Sequence, residues 1–557
     1  MPTKKKWTFI SQDDEKNSNP QIEEVVAQLL HNRGFSTKKD IESFLNPQLE
    51  DVTPKSVGID AQGLKKALQR INEAIVKKEQ IVVFGDYDVD GITGSAILWE
   101  TLHELGAKCL PYIPSRSDEG YGLSLKGITN ASQQIKDIKL IITVDNGIVA
   151  HEAVTFANDS GIDVIITDHH AVGDDQPDAL AIVHTTNLCG AGVAYLLSKE
   201  LREEHGGFHP ESDTHLELAA LGTVADLVPL TGANRTIVMH GLTKLRTTTR
   251  IGLVSLFSQS GIKQDAIGVY EIGYIIGPRL NAAGRIESAM DSLRLLCTKD
   301  RQRATLLSSQ LELTNKERQF LLKEAADHAI LHVNSLEETK HILIVGHQTY
   351  KEGVIGLVAG KLVESFYRPS IVLSIGETHS KGSARSVSGF NIIEFLRTHQ
   401  QYFVNVGGHP MAAGFTIENT KFEELRNLLE SASLELLNED ILTRSLKIDM
   451  ELPLSFLSEE LYQKIQALAP FGMANPEPVF VSKDVTVENI RVLGKESNHL
   501  KLMVSQDGKT FEAIAFGMGE LAADLKVGDN ISIAYVLDEN TWNGNTKLQL
   551  KVRDIQF

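Results

Sequence analysis

From residue 80 onward the chain alternates short apolar runs with stretches of helix length. Three runs, at 81–84, 140–144 and 164–167, are continuously apolar and rich in β-branched residues. The segments between them, at 94–105 and 150–158, have helical texture. Continuous apolar strands alternating with helices predict a parallel sheet covered on both faces. Residues 1–75 are mixed and polar, with a short helical pattern at 22–31 and a stop at Asn46-Pro47. Residues 301–334 contain neither Gly nor Pro, and Leu307, Leu311, Leu321 and Ala325 fall near helical spacing among charged residues. That pattern predicts a connector helix; the heptad is not sustained, which argues against a coiled coil. A second α/β pattern runs over 341–435. After Pro470-Phe471-Gly472 the chain becomes strand-rich, with turn signals at Gly494, Gly508, Gly528 and Asn543-Gly544, and so predicts a small barrel of the five-stranded OB type.

The expected organisation is therefore α/β and multidomain. It comprises an N-terminal segment packing on the core (1–75), a parallel-sheet domain (76–298), a connector helix (299–336), a second α/β domain (337–440) and a β-barrel (441–557). The length of 557 residues suits several cores rather than one. Hydrophobic content of 42% and charged content of 23% describe a globular chain. No apolar run approaches the ~20 residues of a membrane helix. The polar stretch at 11–19 follows Lys4, Lys5 and Lys6 where a signal peptide needs an apolar segment. Three scattered cysteines, Cys109, Cys189 and Cys297, offer neither a disulfide framework nor paired metal spacing, which fits a cytoplasmic protein with reduced thiols. The net charge of −18 argues against coating nucleic acid broadly, yet leaves room for a local basic groove.

Candidate chemistry lies where the strands end. The first run is followed by Gly85-Asp86-Tyr87-Asp88-Val89-Asp90-Gly91. Three carboxylates at alternate positions do not belong in a core, where each unpaired charge is costly. A calcium loop would need Glu at its twelfth position, and counting from Asp86 that position is Ile97. The second run ends in Asp145-Asn146-Gly147 and the third in Asp168-His169-His170. Open parallel sheets bind ligands at the carboxyl ends of their strands, so these groups are expected to converge. Asp226 joins them as a fourth candidate, with a helix cap as its plain alternative. Five or six oxygen ligands with one or two nitrogens suit manganese or magnesium rather than structural zinc. A carboxylate bridging two such ions is the arrangement for metal-assisted phosphoryl chemistry.

These motifs resemble, in order and spacing, the four motifs of the DHH phosphoesterases. Further motifs narrow the resemblance to the RecJ family of single-strand-specific DNA exonucleases. They are Ile113-Pro114-Ser115-Arg116 with Glu119-Gly120-Tyr121-Gly122, and Gly277-Pro278-Arg279-Leu280-Asn281-Ala282-Ala283-Gly284-Arg285. Glu352-Gly353-Val354-Ile355-Gly356, Gly382-Ser383-Ala384-Arg385-Ser386 and Gly407-Gly408-His409-Pro410 resemble the DHH-associated domain, and the segment from Pro470 resembles the entry to that family's OB domain. The resemblance covers the chain from about residue 20. It implies a DHH catalytic domain, a DHH-associated substrate-binding domain and an OB-like nucleic-acid-binding domain.

Carried over by position, the resemblance implies that Asp88, Asp90, Asp145, His169 and Asp226 ligate two divalent ions, manganese foremost, with Asp145 as the bridge. Asp86 is implied as an outer ligand, His170 as a contact to the scissile phosphate and Asp168 as the residue orienting the site. Arg116, Arg279, Asn281, Arg285, Ser383, Arg385, Gly408 and His409 are implied as substrate contacts. The implied activity is 5′→3′ degradation of single-stranded DNA to mononucleotides in repair and recombination, in the cytoplasm. A single-strand-binding protein and a helicase are the implied partners. Two alternatives stand beside it, a DHH phosphodiesterase for short RNA oligomers or cyclic dinucleotides, and a catalytically inactive scaffold like Cdc45. Phe516, Tyr535 and Trp542 are candidate base-stacking residues of the barrel, with core packing as the competing role. The segment after His184 is shorter than the family pattern and lacks its Asn-Pro, so the shape of the site there is expected to differ. Tyr350-Lys351 stands where Trp-His is common.

Overall fold

The structure is a computed structural model that describes residues 5–11, 21–115, 118–120, 122–209, 213–286, 288–542 and 544–557. The chain divides into two compact units, one formed by residues 38–318 with 470–476, the other by 1–37, 319–469 and 477–557. No helix among the described residues is long and apolar enough to cross a membrane.

The first unit is built on a five-stranded parallel sheet, and each apolar run of the sequence forms one of its central strands. The strands are β1 (Gln80–Gly85), β2 (Lys108–Tyr112), β3 (Ile138–Val144), β4 (Asp163–Asp168) and β5 (Ala181–His184), in the order β2-β1-β3-β4-β5. β1 is buried along its whole length, as a strand covered on both faces must be. The order reverses between β1 and β3, which makes the carboxyl edge there the switch point where ligands bind in open parallel sheets. Around the sheet pack α1 (Ala61–Lys77), α2 (Val89–Glu104), α3 (Gly190–Glu204), α4 (His215–Ala225) and α5 (Gly277–Ile286).

The 301–334 segment forms one helix, α6 (Arg301–Asn334). In the second unit lies a mixed sheet of β6 (Leu343–His347), β7 (Ser370–Ile375), β8 (His379–Arg385), β9 (Phe403–His409) and β10 (Ala412–Glu418), ordered β9-β10-β8-β7-β6. Only β6 and β7 run parallel. The C-terminal segment closes a five-stranded barrel from β11 (Phe480–Leu493), β12 (His499–Gln506), β13 (Lys509–Ala515), β14 (Asn530–Trp542) and β15 (Asn545–Gln556). Closure comes from β11 pairing with both β12 and β14 and from a short parallel ladder between β13 and β15. The N-terminal strand Lys6–Phe9 pairs in parallel with Ser445–Ile448, and Trp7 Nε1 donates to Asp554 Oδ2 at 2.7 Å.

Candidate metal centre

Each strand end delivers its acidic group in a different way. After β1, Asp88 caps the start of α2, and its Oδ1 accepts the amides of Asp90 and Gly91 at 3.0 and 3.1 Å. Asp90 is turned inward and held by both oxygens. Oδ2 accepts the Gly190 amide at 2.6 Å and Oδ1 the Ala191 amide at 2.8 Å, both at the start of α3, where helix amides and dipole favour an anion. After β3, Asp145 adopts a left-handed backbone conformation (φ 63°), uncommon outside glycine, while its amide donates to Thr167 O at 3.0 Å. Asn146 pins the turn by donating to Phe84 O and Val144 O at 3.2 and 2.8 Å.

After β4, Asp168 is wholly buried and organises both histidines. Its Oδ1 accepts the amides of His169 and His170 and lies 2.7 Å from His170 Nδ1, while Oδ2 accepts the Ile148 amide. Burial opposes ionisation of Asp168, yet the bond to His170 and that ring's charge outweigh it and hold the carboxyl below its usual range. Burial likewise opposes protonation of His170, and Asp168 outweighs it and raises the imidazole. Asp226 follows the last turn of α4, at the negative end of that helix, where a carboxylate is electrostatically disfavoured. Asp226 is the C-cap of α4, its amide donating to Gly222 O at 2.9 Å, so its backbone fills the helix-cap role while its carboxylate stands beside His169.

His169 Nε2 lies 3.1 Å from Asp145 Oδ1, 3.6 Å from Asp226 Oδ2 and 3.7 Å from Asp90 Oδ2. Three overlapping donor triads result: Asp145 with His169 and His170, Asp90 with His169 and Asp226, and Asp86 with Asp88 and Asp145. Burial and then the charges of neighbouring carboxylates push Asp145 and Asp88 upward, and Asp226 to about 9. Such mutual repulsion in a buried site is what a divalent cation relieves, so the donor set fits the metal its chemistry implies.

The remaining candidates fall in several places. Asn281 Oδ1 accepts the Val89 amide at 3.0 Å, so α5 braces the acidic loop after β1. Arg279 Nε pairs with Glu312 Oε2 at 2.7 Å and its Nη1 donates to Ile275 O at 2.8 Å. Arg285 lies half-buried on the same helix. Arg116 lies outside the described residues. Ser383, Arg385, Gly408 and His409 belong to the second unit, where register sets them side by side: Ala412 of β10 pairs with Arg385 on one side and His409 on the other. Arg385 Nη1 lies 3.3 Å from Ser383 Oγ. Gly408 has φ 146°, and a Cβ there would meet Ala412 O at 2.3 Å, so the hairpin requires glycine. Tyr350 is buried with its hydroxyl 2.7 Å from His328 Nδ1. In the barrel, Tyr535 is fully buried and bonds Ser482, which makes it a core residue, whereas Phe516 is 51% exposed; the Trp542 side chain lies outside the described residues.

The residues that sequence reasoning passed over are Gly190 and Ala191. Their backbone amides orient Asp90, and the only sequence signal was a small-residue helix start.

A five-stranded parallel sheet with carboxylates and imidazoles gathered at its switch point defines a divalent-metal phosphoesterase centre of the DHH class. Three family models match: the DHH family N-terminal domain over residues 80–223, the DHHA1 domain over 339–434 and the RecJ OB domain over 448–554. The single-stranded-DNA-specific exonuclease RecJ of Bacillus subtilis is 36% identical over all of this chain and 71% of its own length. The structure of Thermus thermophilus RecJ in complex with Mn2+ superimposes with a TM-score of 0.82 at 30% identity, covering 96% of this chain and 76% of that one. Its complex with Mg2+ gives 0.75 at 28% identity, covering 96% and 74%. The chain belongs to the RecJ family.

Proposed function

We propose that the chain is a metal-dependent 5′→3′ exonuclease that degrades single-stranded DNA to mononucleotides in DNA repair and recombination. The observation that carries this reading is the overlap of the three donor triads, in which Asp145 belongs to two and His169 to two. On this reading Asp88, Asp90, Asp145, His169 and Asp226 would hold two divalent ions, manganese foremost, with Asp145 as the shared ligand and Asp86 as an outer one. When bound, the ions activate a water and neutralise charge on the departing oxygen of the phosphodiester. The chain's own residues supply position. His170, whose imidazole Asp168 shifts toward the protonated form, is placed to donate to a scissile phosphate oxygen. Asp90, fixed by two helix amides, keeps its oxygens from reorganising during the reaction.

The relatives' single-strand specificity and the OB barrel support an unpaired DNA strand as substrate. On the same reading Arg116, Arg279, Asn281, Arg285, Ser383, Arg385, Gly408 and His409 contact the phosphates and the 5′ end of that strand. Exposed Phe516 is a stacking surface for a base. A cytoplasmic setting, with a single-strand-binding protein and a helicase as partners, belongs to the same proposal.

The test is a panel of 5′-labelled single-stranded DNA, blunt duplex, short RNA and a cyclic dinucleotide, each incubated with manganese. Mononucleotide release from the single strand alone is the expected outcome. Preference for the short RNA or the cyclic dinucleotide would reassign the substrate, and metal-independent or absent release by folded protein would refute the reading.

A further inference from the structure

The helix α6 carries Glu312, Asn315 and Arg318 on successive turns, and all three are largely buried. Arg318 retains 9% of its surface, and its Nε and Nη2 both donate to one neutral acceptor, Asn315 Oδ1, at 3.3 and 2.9 Å. Among the described residues no carboxylate comes within ion-pair distance of it. The charged group that bears on it is another guanidinium: burial first, and then Arg279, lower its pKa. Arg279 is in turn engaged with Glu312, and Glu312 also lies 3.4 Å from Lys316 Nζ. Lys316 is largely exposed and solvated, so two largely buried guanidiniums, Arg279 and Arg318, remain beside the one buried carboxylate of Glu312. A guanidinium does not escape this by losing its proton at neutral pH, so the surplus charge persists. Buried charge without a counter-ion is costly, and a cluster that keeps it is built for an anion from outside.

The geometry points to Arg318 as a second phosphate-binding residue beside Arg279, taking a phosphodiester of the substrate strand. This rests on the single-strand exonuclease reading and deepens it. The planar guanidinium fork suits two phosphate oxygens, and Asn315 presets its plane. Arg279 belongs to α5, the helix that braces the acidic loop through Asn281 and Val89, so a phosphate held here lies against the element that supports the metal centre. The segment leading into α5 is a single π turn, Ile272–Ile276, whose Ile275 carbonyl accepts from Arg279 Nη1. π turns of this kind are frequent at functional sites.

A purely structural arginine and a phosphate-binding one differ in salt dependence. On a single strand, every phosphate that a cation ceases to neutralise makes the slope of log(kcat/KM) against log salt shallower by about 0.7. The experiment measures manganese-supported release from a 5′-phosphorylated oligothymidylate between about 50 and about 200 mM KCl for the full chain and two variants. Arg318→Met should raise KM about tenfold at low salt, flatten the slope by about 0.7 and leave the unfolding temperature unchanged or higher. Arg318→Lys should restore the slope and part of the affinity. An unchanged slope in Arg318→Met, or a lower unfolding temperature with wild-type KM, would overturn the inference while the exonuclease reading stands. Absence of release by the wild type would overturn both.

Discussion

Gly190 shows how narrowly the metal centre is built at the scale of one residue. Its amide holds Asp90 Oδ2, and a Cβ at its position would lie 2.5 Å from the Asp145 Cβ. The close approach of α3 to the end of β3 therefore depends on a missing side chain. Gly190→Ala must push Asp145 or the helix start aside, and displacements of about 1 Å in a catalytic constellation cost on the order of 100-fold in rate. We predict that loss for Gly190→Ala, together with weaker manganese binding by calorimetry and an unchanged far-ultraviolet circular dichroism spectrum. Full turnover with wild-type manganese affinity would show that the approach is not tight. The same residue explains why the short segment after His184 matters. Thr185 Oγ1 and Asn187 Nδ2 both donate to Val57 O, and His184 Nε2 bonds His170 O at 2.7 Å. This stitched turn leads directly into Gly190, so its brevity accompanies an intact Asp90 cradle.

Among elements, legibility followed hydrophobic pattern. The three central strands and the long helix were readable because a doubly covered strand must be apolar throughout, and because 34 residues free of Gly and Pro have no internal stop. The edge strands β2 and β5 were not, since one is half-exposed and contains Pro111 while the other is four residues long. The parallel pairing of Lys6–Phe9 with Ser445–Ile448 joins segments more than 400 residues apart, and no local pattern announces such a partner. Among the site residues, the acidic strand ends were legible because carboxylates set between glycines after an apolar run have no place in a core. Asn281 reads as a substrate contact in the sequence, and its further tie to the Val89 amide is visible only in three dimensions. Arg318 was hidden by its setting, because a charged position on a charged helix reads as a solvated face. Its burial is a property of what packs against α6 rather than of the helix itself.

For the molecule as a whole, the catalytic unit must hold several buried charges without disulfides to support it. All three cysteines are free. Part of the answer is the Arg250 network, in which Nε lies 2.9 Å from Glu217 Oε1, and Nη1 and Nη2 lie 2.7 and 3.0 Å from the two oxygens of Glu100. Burial opposes ionisation of Glu100, but the His215 bond and the Arg250 charge outweigh it and lower the carboxyl to about 2. For Glu217 burial prevails and the carboxyl is raised, which partly offsets the effect. Because the Glu100 value lies below its ordinary 4.5, its contribution is complete above that pH and is lost as pH falls toward 2. We predict that Glu100→Gln costs about 3 kcal/mol at neutral pH, as breaking a buried pair does, and flattens the acid dependence between pH 4.5 and 2 in urea unfolding. An unaltered acid dependence would place the acid-sensitive groups elsewhere.

The central claim is that strand-end carboxylates and histidines gather divalent ions around Asp145. Anomalous diffraction at the manganese edge, from crystals grown with manganese, tests it most directly. The expected result is two peaks about 3.5–4 Å apart, both within coordination distance of Asp145, with His169 and Asp226 on one side and Asp88 on the other. A single ion remote from Asp145, or no ion among these residues at saturating manganese, would contradict it.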